Sequence, residues 1–386
     1  MPYNACMPKV TEIVLTGGPC AGKSSALSYL ATHLSTHGVR VLQVPEIATL
    51  FISGGLNDIT DIAQQEPDKF IKLEHSMIKM QGDFRRRFLE VAEQFDGPTV
   101  ILYDRAQTDA IAYVGEPQFN EIRAHLGLSL ADVRDSYSAV IFLRTAADGA
   151  EAAYTTANNA ARSETPEQAR QIDKRTLEAW VGHPHLWIVE NEADFEAKLE
   201  RTLEIALHAA GIPTHHEVER KWLLKSRPSH FDLIPHGARV INMEQIYLMS
   251  PPGSVNRIRR RTQDGESTYT YTAKSRALGA VRDEEEFIIS ASEYETLSRM
   301  ADPECAPIRK LRYNVPHQGQ MLEVDLFMDS QLAVLEIELT DPDHGVRLPD
   351  FLDIDREVTN EPGWGNYDLA RSLAEARAQE PSSLSI

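Results

Sequence analysis

The residues most suited to chemistry lie near the start of the chain, in the segment Gly17-Gly-Pro-Cys-Ala-Gly-Lys-Ser24. Its spacing is G-x-x-x-x-G-K-S, in which backbone N–H groups surround phosphate oxygens at the start of a helix. In such a loop the lysine contacts the β- and γ-phosphates and the serine hydroxyl binds Mg²⁺. The segment therefore predicts a nucleotide-binding phosphate loop, formed by Gly17, Gly18, Pro19, Cys20, Ala21, Gly22, Lys23, Ser24 and Ser25.

Three further candidate active-site residues directly follow apolar, strand-like runs. Glu46 follows the second run, and Asp104 and Arg105 follow the third. In an open parallel sheet the ligand lies beyond these strand ends. We expect Asp104 to hold Mg²⁺ or orient a nucleophile, Arg105 to clamp a phosphate, and Glu46 to accept a proton from a substrate hydroxyl. The alternatives are a capping Asp and a surface Glu–Arg pair.

A second group of charged residues recurs at alternate positions in the second half of the chain. Side chains two apart on a strand share a face, so the charges of each pair point the same way. The residues between them are apolar, which favours a curled or closed sheet with a charged interior. Such an interior suits a polyphosphate with Mg²⁺ or Mn²⁺, whereas a solvated sheet with cross-strand ion pairs is the alternative. The pairs are Glu217/Glu219 with Lys221, Arg257/Arg259, Lys274, Lys310/Arg312, Glu323/Asp325 and Glu336/Glu338.

The elements that position the first group alternate between strands and helices. Strands are predicted at 12–16, 39–44, 99–103, 139–143 and 186–189, with a long helix between 67 and 95. This alternation predicts a parallel α/β sheet.

A segment from 146 to 173 follows the fourth strand, and Arg162, Arg170, Lys174 and Arg175 are spaced along and just after it. We expect it to close over the nucleotide, with a solvated amphipathic helix as the alternative. The residue that reads the base is expected near Asn191.

The length and the change of pattern near residue 213 predict two domains, 1–213 and 214–376, and a disordered tail at 377–386. The formal net charge of −19 argues against a general nucleic-acid or anionic-membrane surface. No apolar run is long enough to span a bilayer and the start has no secretory leader, so a cytoplasmic location is expected. The three cysteines match no disulfide or metal-ligand spacing. These patterns do not predict an oligomeric state.

The first half resembles the small-molecule kinase branch of P-loop proteins, in particular the AAA-type domain related to the ribosylnicotinamide kinase module. The resemblance is carried by residues 16–25, by Glu46, which is similar to a residue of deoxynucleoside kinases, and by Asp104-Arg105 with Asp109. It implies nucleotide binding or phosphoryl transfer, with ATP or GTP and Mg²⁺ as cofactors. The acidic Asp-Glu pair of hexameric AAA machines is absent, which speaks against a ring-forming mechanical ATPase.

The second half, from about 215 to 375, resembles the CYTH or triphosphate tunnel superfamily, which includes inorganic triphosphatases, thiamine triphosphatases and one class of adenylate cyclases. Glu217-Val-Glu219-Arg-Lys221 is similar to its opening E-x-E-x-K signature. The resemblance implies an α/β P-loop parallel-sheet domain followed by an α+β antiparallel tunnel β-barrel. It implies metal ligands at Glu217, Glu219, Glu336 and Glu338, with Glu323 and Asp325 as helpers, and phosphate contacts at Lys221, Arg257, Arg259, Lys274, Lys310 and Arg312, Lys221 also being catalytic.

The order of the two domains resembles the family of the TRPL-translocation-defect protein, which is linked to GTP and phosphatidic acid binding. Three functions remain open at this point. The first is a two-site phosphohydrolase or phosphotransferase that acts on a nucleoside triphosphate and on a triphosphate-containing small molecule. The second is a regulatory nucleotide- and phospholigand-binding protein with little turnover. The third is a small-molecule or RNA 5′-end kinase with an accessory tunnel, and the acidic balance counts against the RNA version.

Overall fold

The computed structural model describes residues 10–154, 165–191, 194–212, 218–275, 284–341, 345–359 and 361–379. The chain divides into two compact units, Met1–His215 and His216–Ile386. This division lies two residues after the boundary expected at 213.

Unit 1 is built on a five-stranded parallel sheet in the order β2-β3-β1-β4-β5. The strands are β1 (Val10–Thr16), β2 (Arg40–Val44), β3 (Thr99–Asp104), β4 (Ala139–Leu143) and β5 (Leu186–Val189). The helices are α1 (Lys23–Thr36), α2 (Ile47–Ser53), α3 (Ile59–Gln65), α4 (Pro67–Ala92), α5 (Ile111–Val114), α6 (Glu116–His125), α7 (Pro166–Trp180) and α8 (Phe195–Ala209). The parallel α/β sheet expected from the alternating pattern is confirmed, as is the long helix.

The central strand β1 is covered on both faces. Ile13 and Leu15 pack in one core with Leu30 of α1 and Ile205 of α8. On the opposite face Glu12 accepts hydrogen bonds from Arg85 of α4. Because β1 is buried between helices, its carboxyl end is held rigidly, and the phosphate loop begins there.

Unit 2 is an antiparallel sheet of nine strands in the order β10-β9-β8-β7-β11-β12-β13-β6-β14. The strands are β6 (Val218–Leu224), β7 (Arg239–Leu248), β8 (Ser254–Gln263), β9 (Glu266–Ser275), β10 (Glu284–Ile288), β11 (Ile308–His317), β12 (Gln320–Phe327), β13 (Ala333–Leu339) and β14 (Ile354–Glu357). The helices are α9 (His230–Leu233), α10 (Ala291–Ser298) and α11 (Asn366–Gln379).

Strand register places the charged pairs on one face, which we call the inner face. Arg312 lies opposite Asp325, and Glu323 lies opposite Glu336. Glu336 in turn faces Lys221 across the β13–β6 ladder. The residues between them form an apolar core on the other face, including Trp222, Val324, Leu335, Ile337 and Leu233 of α9. The alternation in the sequence therefore predicted correctly which side chains share a face.

The inner face is enclosed, because its central charged residues are buried. The exposed fractions are 3% for Lys310, 0% for Asp325 and 4% for Glu336. Such burial requires that the sheet curl around this face. Among the described residues no ladder joins the two end strands, β10 and β14, so closure of the expected barrel rests on curling and not on a recorded strand pair.

Helix α11 covers one end of the inner face. Its buried Ala370 packs in a cluster with Tyr247, Ile308 and Phe327, which lie on the inner face beyond the charged residues. The helix continues to Gln379, so residues 377–379, which were expected to belong to a disordered tail, are helical. Residues 375–379 read Glu-Ala-Arg-Ala-Gln, which favours continuation of a helix. Residues 380–386 lie outside the described part of the chain.

In the described part of the chain, none of the helices combines the length and the apolar character that crossing a membrane requires.

Candidate active sites

The phosphate loop of unit 1 connects β1 to α1 through backbone conformations that favour glycine. Gly17 has φ 138° and Gly22 has φ 87°. A Cβ on Gly17 would lie 2.0 Å from the backbone oxygen of Leu143, and a Cβ on Gly22 would lie 2.6 Å from the Phe195 ring. Close approach and left-handed geometry therefore both require glycine in this loop. Cys20 also has a positive φ, 58°. Ser24 and Ser25 are exposed in the first turn of α1.

Lys23 is buried inside the loop that it ends. Its ammonium group donates hydrogen bonds to the carbonyl oxygens of Gly17 and Gly18 at 3.0 and 2.9 Å. Burial and, to a smaller extent, the Arg105 guanidinium lower the pKa of Lys23 to about 8, while Asp104 and other nearby carboxylates oppose the shift. Lys23 and Asp104 therefore belong to one charged cluster at the end of the sheet.

Asp104 ends β3 with a carboxylate oxygen, Oδ1, that is buried and has no hydrogen-bond partner in the described structure. Burial and then the Glu46 carboxylate raise the pKa of Asp104 above its ordinary value, against Lys23 and Arg105. A buried carboxylate oxygen without a protein partner is unfavourable unless a ligand occupies the site. Asp104 and the exposed Ser24 hydroxyl are oxygen donors of the type that Mg²⁺ prefers, so the residues fit this ion.

Arg105 adopts a left-handed conformation with φ 67°, and its side chain turns toward carboxylates. Its Nε donates to Glu46 Oε1 at 2.8 Å, and its Nη1 lies 3.5 Å from Asp109 Oδ1. Glu46 also accepts a hydrogen bond from Thr49 at 2.6 Å. Although burial would raise it, Arg105 and Lys23 hold the pKa of Glu46 below its ordinary value, so Glu46 is ionised. The phosphate contact expected for Arg105 stays a prediction.

Asp173 of α7 supports the phosphate loop and was missed in the sequence. Its Oδ1 accepts from the backbone N–H groups of Gly18 and Thr145, both at 2.9 Å, and its Oδ2 accepts from Arg144 at 2.8 Å. Arg144 also donates to Glu190 through two nitrogens at 2.9 Å. The contact between Asp173 and Gly18 could not be predicted from the sequence, because the two residues are 155 positions apart. The one signal of this network in the sequence was the position of Arg144 directly after a strand.

The segment expected to close over the nucleotide is only partly described. Arg162 lies outside the described residues. Arg170 donates to the Ala147 carbonyl oxygen at 2.8 Å and to Glu167, and Lys174 is 3.8 Å from Glu178. The contacts with Glu167 and Glu178 lie along one helix, as expected for the solvated-helix alternative, whereas the bond to Ala147 joins the helix to the loop after β4. The closing role of this segment stays a prediction.

Asn191 is tied to its surroundings by its side-chain amide. The amide nitrogen donates to the Thr145 carbonyl at 2.8 Å, and the amide oxygen accepts from Lys198 at 2.8 Å. These bonds position the loop after β5, and the base-reading role expected near Asn191 stays a prediction.

On the inner face of unit 2, basic side chains are held by carboxylates. Lys310 pairs with Asp325, and Arg312 pairs with Glu323, Asp325 and Glu336. The Nε of Arg312 donates to Asp325 at 2.7 Å. Asp325 is fully buried and bound to both cations, so in this structure it fixes the cations in place, and its expected role as a metal helper stays a prediction.

A cluster of arginines lines strand β8 on the inner face, at Arg257, Arg259 and Arg261. The Nε of Arg259 is buried without a hydrogen-bond partner, and its Nη1 lies 3.8 Å from Glu286. Burial and then Arg257 lower the pKa of Arg259 to about 10. An arginine whose charged form is disfavoured by burial and by a neighbouring arginine is suited to bind an anion, which would stabilise that charge. The side chain of Lys274, on the neighbouring strand, lies outside the described structure.

Carboxylates and Lys221 occupy the part of the inner face on β13 and β6. Lys221 Nζ lies 2.8 Å from Glu336 and 3.2 Å from Glu219. Although burial would raise it, Lys310 and Arg312 hold the pKa of Glu336 well below its ordinary value. The Glu336 charge and burial raise the pKa of Glu219 to about 7.

The predicted metal ligands of unit 2 are only partly brought together. Glu338 lies opposite Glu219 in the strand ladder, whereas Glu217 lies outside the described residues. Within the described ranges no group of three or more His, Cys, Asp or Glu side chains is arranged to hold a metal ion. The carboxylates suit Mg²⁺ or Mn²⁺ by chemistry, and the metal site stays a prediction.

Two family models match successive parts of the chain. Residues 12–198 match the model of an AAA domain. Residues 215–354 match the model of the CYTH domain. The two matches follow the division into two units.

Each of the following curated and solved proteins matches less than half of the chain. An inorganic triphosphatase from Acetivibrio thermocellus is 35% identical over 104 residues, which are 26% of this chain. The chain spans 64% of the length of that relative. The crystal structure of the inorganic triphosphatase NE1496 is 26% identical, with a TM-score of 0.30, and the match covers 41% of this chain and 96% of that one. The protein PH1819 from Pyrococcus horikoshii OT3 is 21% identical with a TM-score of 0.27, covering 33% of this chain and 80% of that one. From the two family matches and the two sheets, the chain consists of an AAA domain of the P-loop type followed by a CYTH domain.

Proposed function

We propose that this protein is a cytoplasmic enzyme with two phosphate-processing sites. Unit 1 binds ATP or GTP with Mg²⁺ and transfers or hydrolyses the γ-phosphoryl group. Unit 2 binds a small molecule that contains a triphosphate group and hydrolyses it with Mg²⁺ or Mn²⁺. The inorganic triphosphatase that resembles part of this chain supports this substrate class.

The observation that carries the proposal for unit 2 is the enclosed inner face, where the Nε of the buried Arg259 has no hydrogen-bond partner and its charge is disfavoured by burial and by Arg257. Arg259, Lys310 and Arg312 would hold the phosphate oxygens, and Asp325 keeps Lys310 and Arg312 oriented before the substrate arrives. Prearranged cations stabilise charge that develops on a phosphoryl group without having to reorganise. Glu219, Glu336 and Glu338 are not gathered around one point in this structure, and they would have to approach one another to hold a metal ion, which would supply Lewis acidity for the attack of water.

In unit 1, the residues around the loop support phosphoryl transfer. Lys23 would exchange the Gly17 and Gly18 carbonyls for the β- and γ-phosphates of the nucleotide. Ser24 and Asp104 would hold Mg²⁺, which neutralises phosphate charge. Glu46, ionised and oriented by Arg105 at 2.8 Å, would take the proton of the attacking hydroxyl or water.

The experiment is phosphate release from ATP, GTP, inorganic triphosphate and thiamine triphosphate, with Mg²⁺ or Mn²⁺. Wild type is compared with Lys23→Ala, with the double variant Glu219→Ala/Glu336→Ala, and with Arg260→Ala as a control. Arg260 is on β8 but faces away from the inner face and pairs with Glu244 at 3.2 Å.

We expect Lys23→Ala to remove nucleotide turnover and the double variant to remove triphosphate turnover, each leaving the other activity intact. Arg260→Ala should keep both. If the wild type turned over none of the four substrates, the proposed enzymatic function would be rejected. Nucleotide binding without turnover would then favour the regulatory function.

A further inference from the structure

Glu74 of α4 is a buried carboxylate that the reaction proposed for unit 1 does not use. It is 8% exposed, and residues one turn away on the helix, Phe70 and Ile78, are buried and apolar. The side chain of Glu74 has no hydrogen bond or ion pair with another described residue, and its oxygens are not among the fully enclosed atoms that lack a partner, so the carboxylate borders a space open to solvent. Burial raises the pKa of Glu74 to about 7, with Arg105 opposing the shift.

Glu12 is a buried carboxylate of the same unit that has a structural role, and it can be compared with Glu74. It is 7% exposed and accepts hydrogen bonds from Arg85 at 2.7 and 2.8 Å and from the Tyr103 hydroxyl at 2.6 Å. Buried carboxylates are normally paired in this way, because an unpaired one is costly. Glu74 lacks such partners, so its burial has no structural explanation in the described fold.

The groups that face Glu74 connect it to the reaction centre. Glu74 interacts electrostatically with Arg105 and with Tyr113 of α5. The Arg105 guanidinium lies 5.9 Å from the centre of the Tyr113 ring and is bonded to Glu46 on its other side. Lys23 of the phosphate loop also interacts with Arg105 and with Glu46. Arg105 therefore interacts both with the phosphate loop and with Glu74.

We propose that Arg105, Tyr113 and Glu74 line the pocket for the phosphoryl acceptor of unit 1, and that the acceptor is an alcohol carrying an N–H donor or an ammonium group that pairs with Glu74. This rests on the phosphoryl transfer proposed for unit 1. The acceptor oxygen forms a bond to the γ-phosphorus as the bond to the β-phosphate oxygen breaks. Its proton passes to Glu46, and the products are a phosphate monoester and a nucleoside diphosphate.

The charges near this pocket also restrict the acceptor. With Mg²⁺ bound to Asp104 and the nucleotide phosphates bound to Lys23, the carboxylates of Glu46, Glu74 and Asp109 outnumber the one remaining cation of this group, Arg105. An acceptor that already carries a phosphate or carboxylate would be repelled, whereas a neutral or cationic alcohol is not. The pocket therefore selects against phosphorylated acceptors.

The first test is the stability of the full chain without ligands, measured as Tm between pH 4.5 and 8 for wild type, Glu74→Met and the control Glu90→Gln. Glu90 lies on the same helix but is exposed and paired with Arg87. The folded pKa of Glu74, about 7, exceeds the unfolded value near ~4.3, so wild type loses stability as pH rises between these values. Glu74→Met should therefore raise Tm, increasingly up to pH 7 and constantly above it. A lowered Tm would show that Glu74 is structural and overturn the proposal.

The second test is the formation of nucleoside diphosphate from ATP or GTP with ethanolamine, cytidine or cytidine monophosphate as the acceptor. Ethanolamine or cytidine should stimulate the reaction, cytidine monophosphate should not, and Glu74→Gln should lower kcat/KM for the stimulating alcohol by about tenfold or more. Glu90→Gln should keep the wild-type value.

Three outcomes would overturn the acceptor pocket: stimulation by cytidine monophosphate alone, stimulation that Glu74→Gln does not change, or no stimulation by either alcohol. The proposed function of unit 1 fails separately, when Mg²⁺–ATP and Mg²⁺–GTP do not raise the Tm of the wild type. If nucleotide binding requires Lys23 but the alcohols have no effect, the proposed nucleotide site is supported and only the proposed acceptor pocket is rejected.

Discussion

Lys23 illustrates how one residue in this protein serves two states of a site. Its ammonium group satisfies the carbonyls of Gly17 and Gly18 at 3.0 and 2.9 Å, and these bonds must be exchanged for phosphate contacts when nucleotide binds. Burial disfavours its charge, so phosphate is a better partner than water or carbonyls.

We predict that Lys23→Met weakens binding of Mg²⁺–ATP or Mg²⁺–GTP by roughly ten- to a hundredfold, the range expected for loss of a charge-assisted hydrogen bond. The substitution should not lower the Tm of the ligand-free protein by much, because it also removes a buried charge. Calorimetric titration of both proteins measures the affinity. An unchanged Kd would contradict the assignment of Lys23 to the phosphates.

Arg259 supports a second prediction at this scale. Its burial lowers its pKa to about 10, and its Nε has no hydrogen-bond partner. We therefore expect Arg259→Gln to raise the Tm of the ligand-free protein by a few degrees while inorganic triphosphate affinity falls about tenfold or more. Thermal scans with and without inorganic triphosphate measure both effects.

Arg260→Gln is the matched control for this experiment, because Arg260 is next in the chain but points to the other face of the sheet. It should leave inorganic triphosphate binding unchanged. Equal effects of the two substitutions would show that the inner face does not select the ligand.

At the scale of elements, the phosphate loop is held by its neighbours as well as by its own sequence. The backbone oxygen of Leu143 at the end of β4 lies only 2.0 Å from the position that a Cβ on Gly17 would take, and Asp173 of α7 accepts a hydrogen bond from the Gly18 N–H. The loop is therefore confined by β4 and α7, which keeps it shaped before nucleotide arrives.

We predict that Gly17→Ala lowers the free energy of unfolding by at least about 3 kcal/mol, because the clash is with backbone and cannot be relieved by a side-chain rotation. Gly97→Ala is the control. Gly97 also has a positive φ, 91°, but nothing lies within 4 Å of its added Cβ, so only about 1 kcal/mol is expected. Denaturant unfolding of the two variants measures the difference. Similar losses of unfolding free energy in the two variants would show that the cost of the substitution comes from the positive φ and not from the contact with β4.

At the scale of the whole molecule, a strongly acidic chain contains a cation-lined interior. The formal net charge is −19, yet Arg257, Arg259, Arg261, Lys310 and Arg312 lie on one face of unit 2. The acidic residues of the rest of the protein repel large polyanions, whereas an enclosed basic site can bind a small polyanion.

We predict that the two sites respond to their ligands independently, because the residues that bind each ligand belong to different units with separate cores. Lys23→Met should remove only the increase in Tm caused by Mg²⁺–nucleotide, and Arg259→Gln only the increase caused by inorganic triphosphate. The double variant should lose both, as expected for additive changes. A nucleotide response that depends on Arg259 would instead demonstrate coupling between the sites.

The sequence by itself determined the features that depend on neighbours along the chain. The phosphate loop could be read from Gly17 to Ser24, because its shape depends on consecutive backbone angles and on glycine at fixed positions. The strands of unit 1 could be read from their apolar runs. The inner face could be read from charges two residues apart, because alternation on a strand follows from backbone geometry alone.

Only the tertiary structure decided which distant residues meet. It placed Asp173 on the loop, turned Arg105 toward Glu46 and Asp109, and made Asp325 a partner of two cations. It also buried Glu74 without a partner, although in the sequence this residue looks like any other glutamate of a long helix. These outcomes depend on strand register and on the packing of helices far apart in the chain, which no local period encodes.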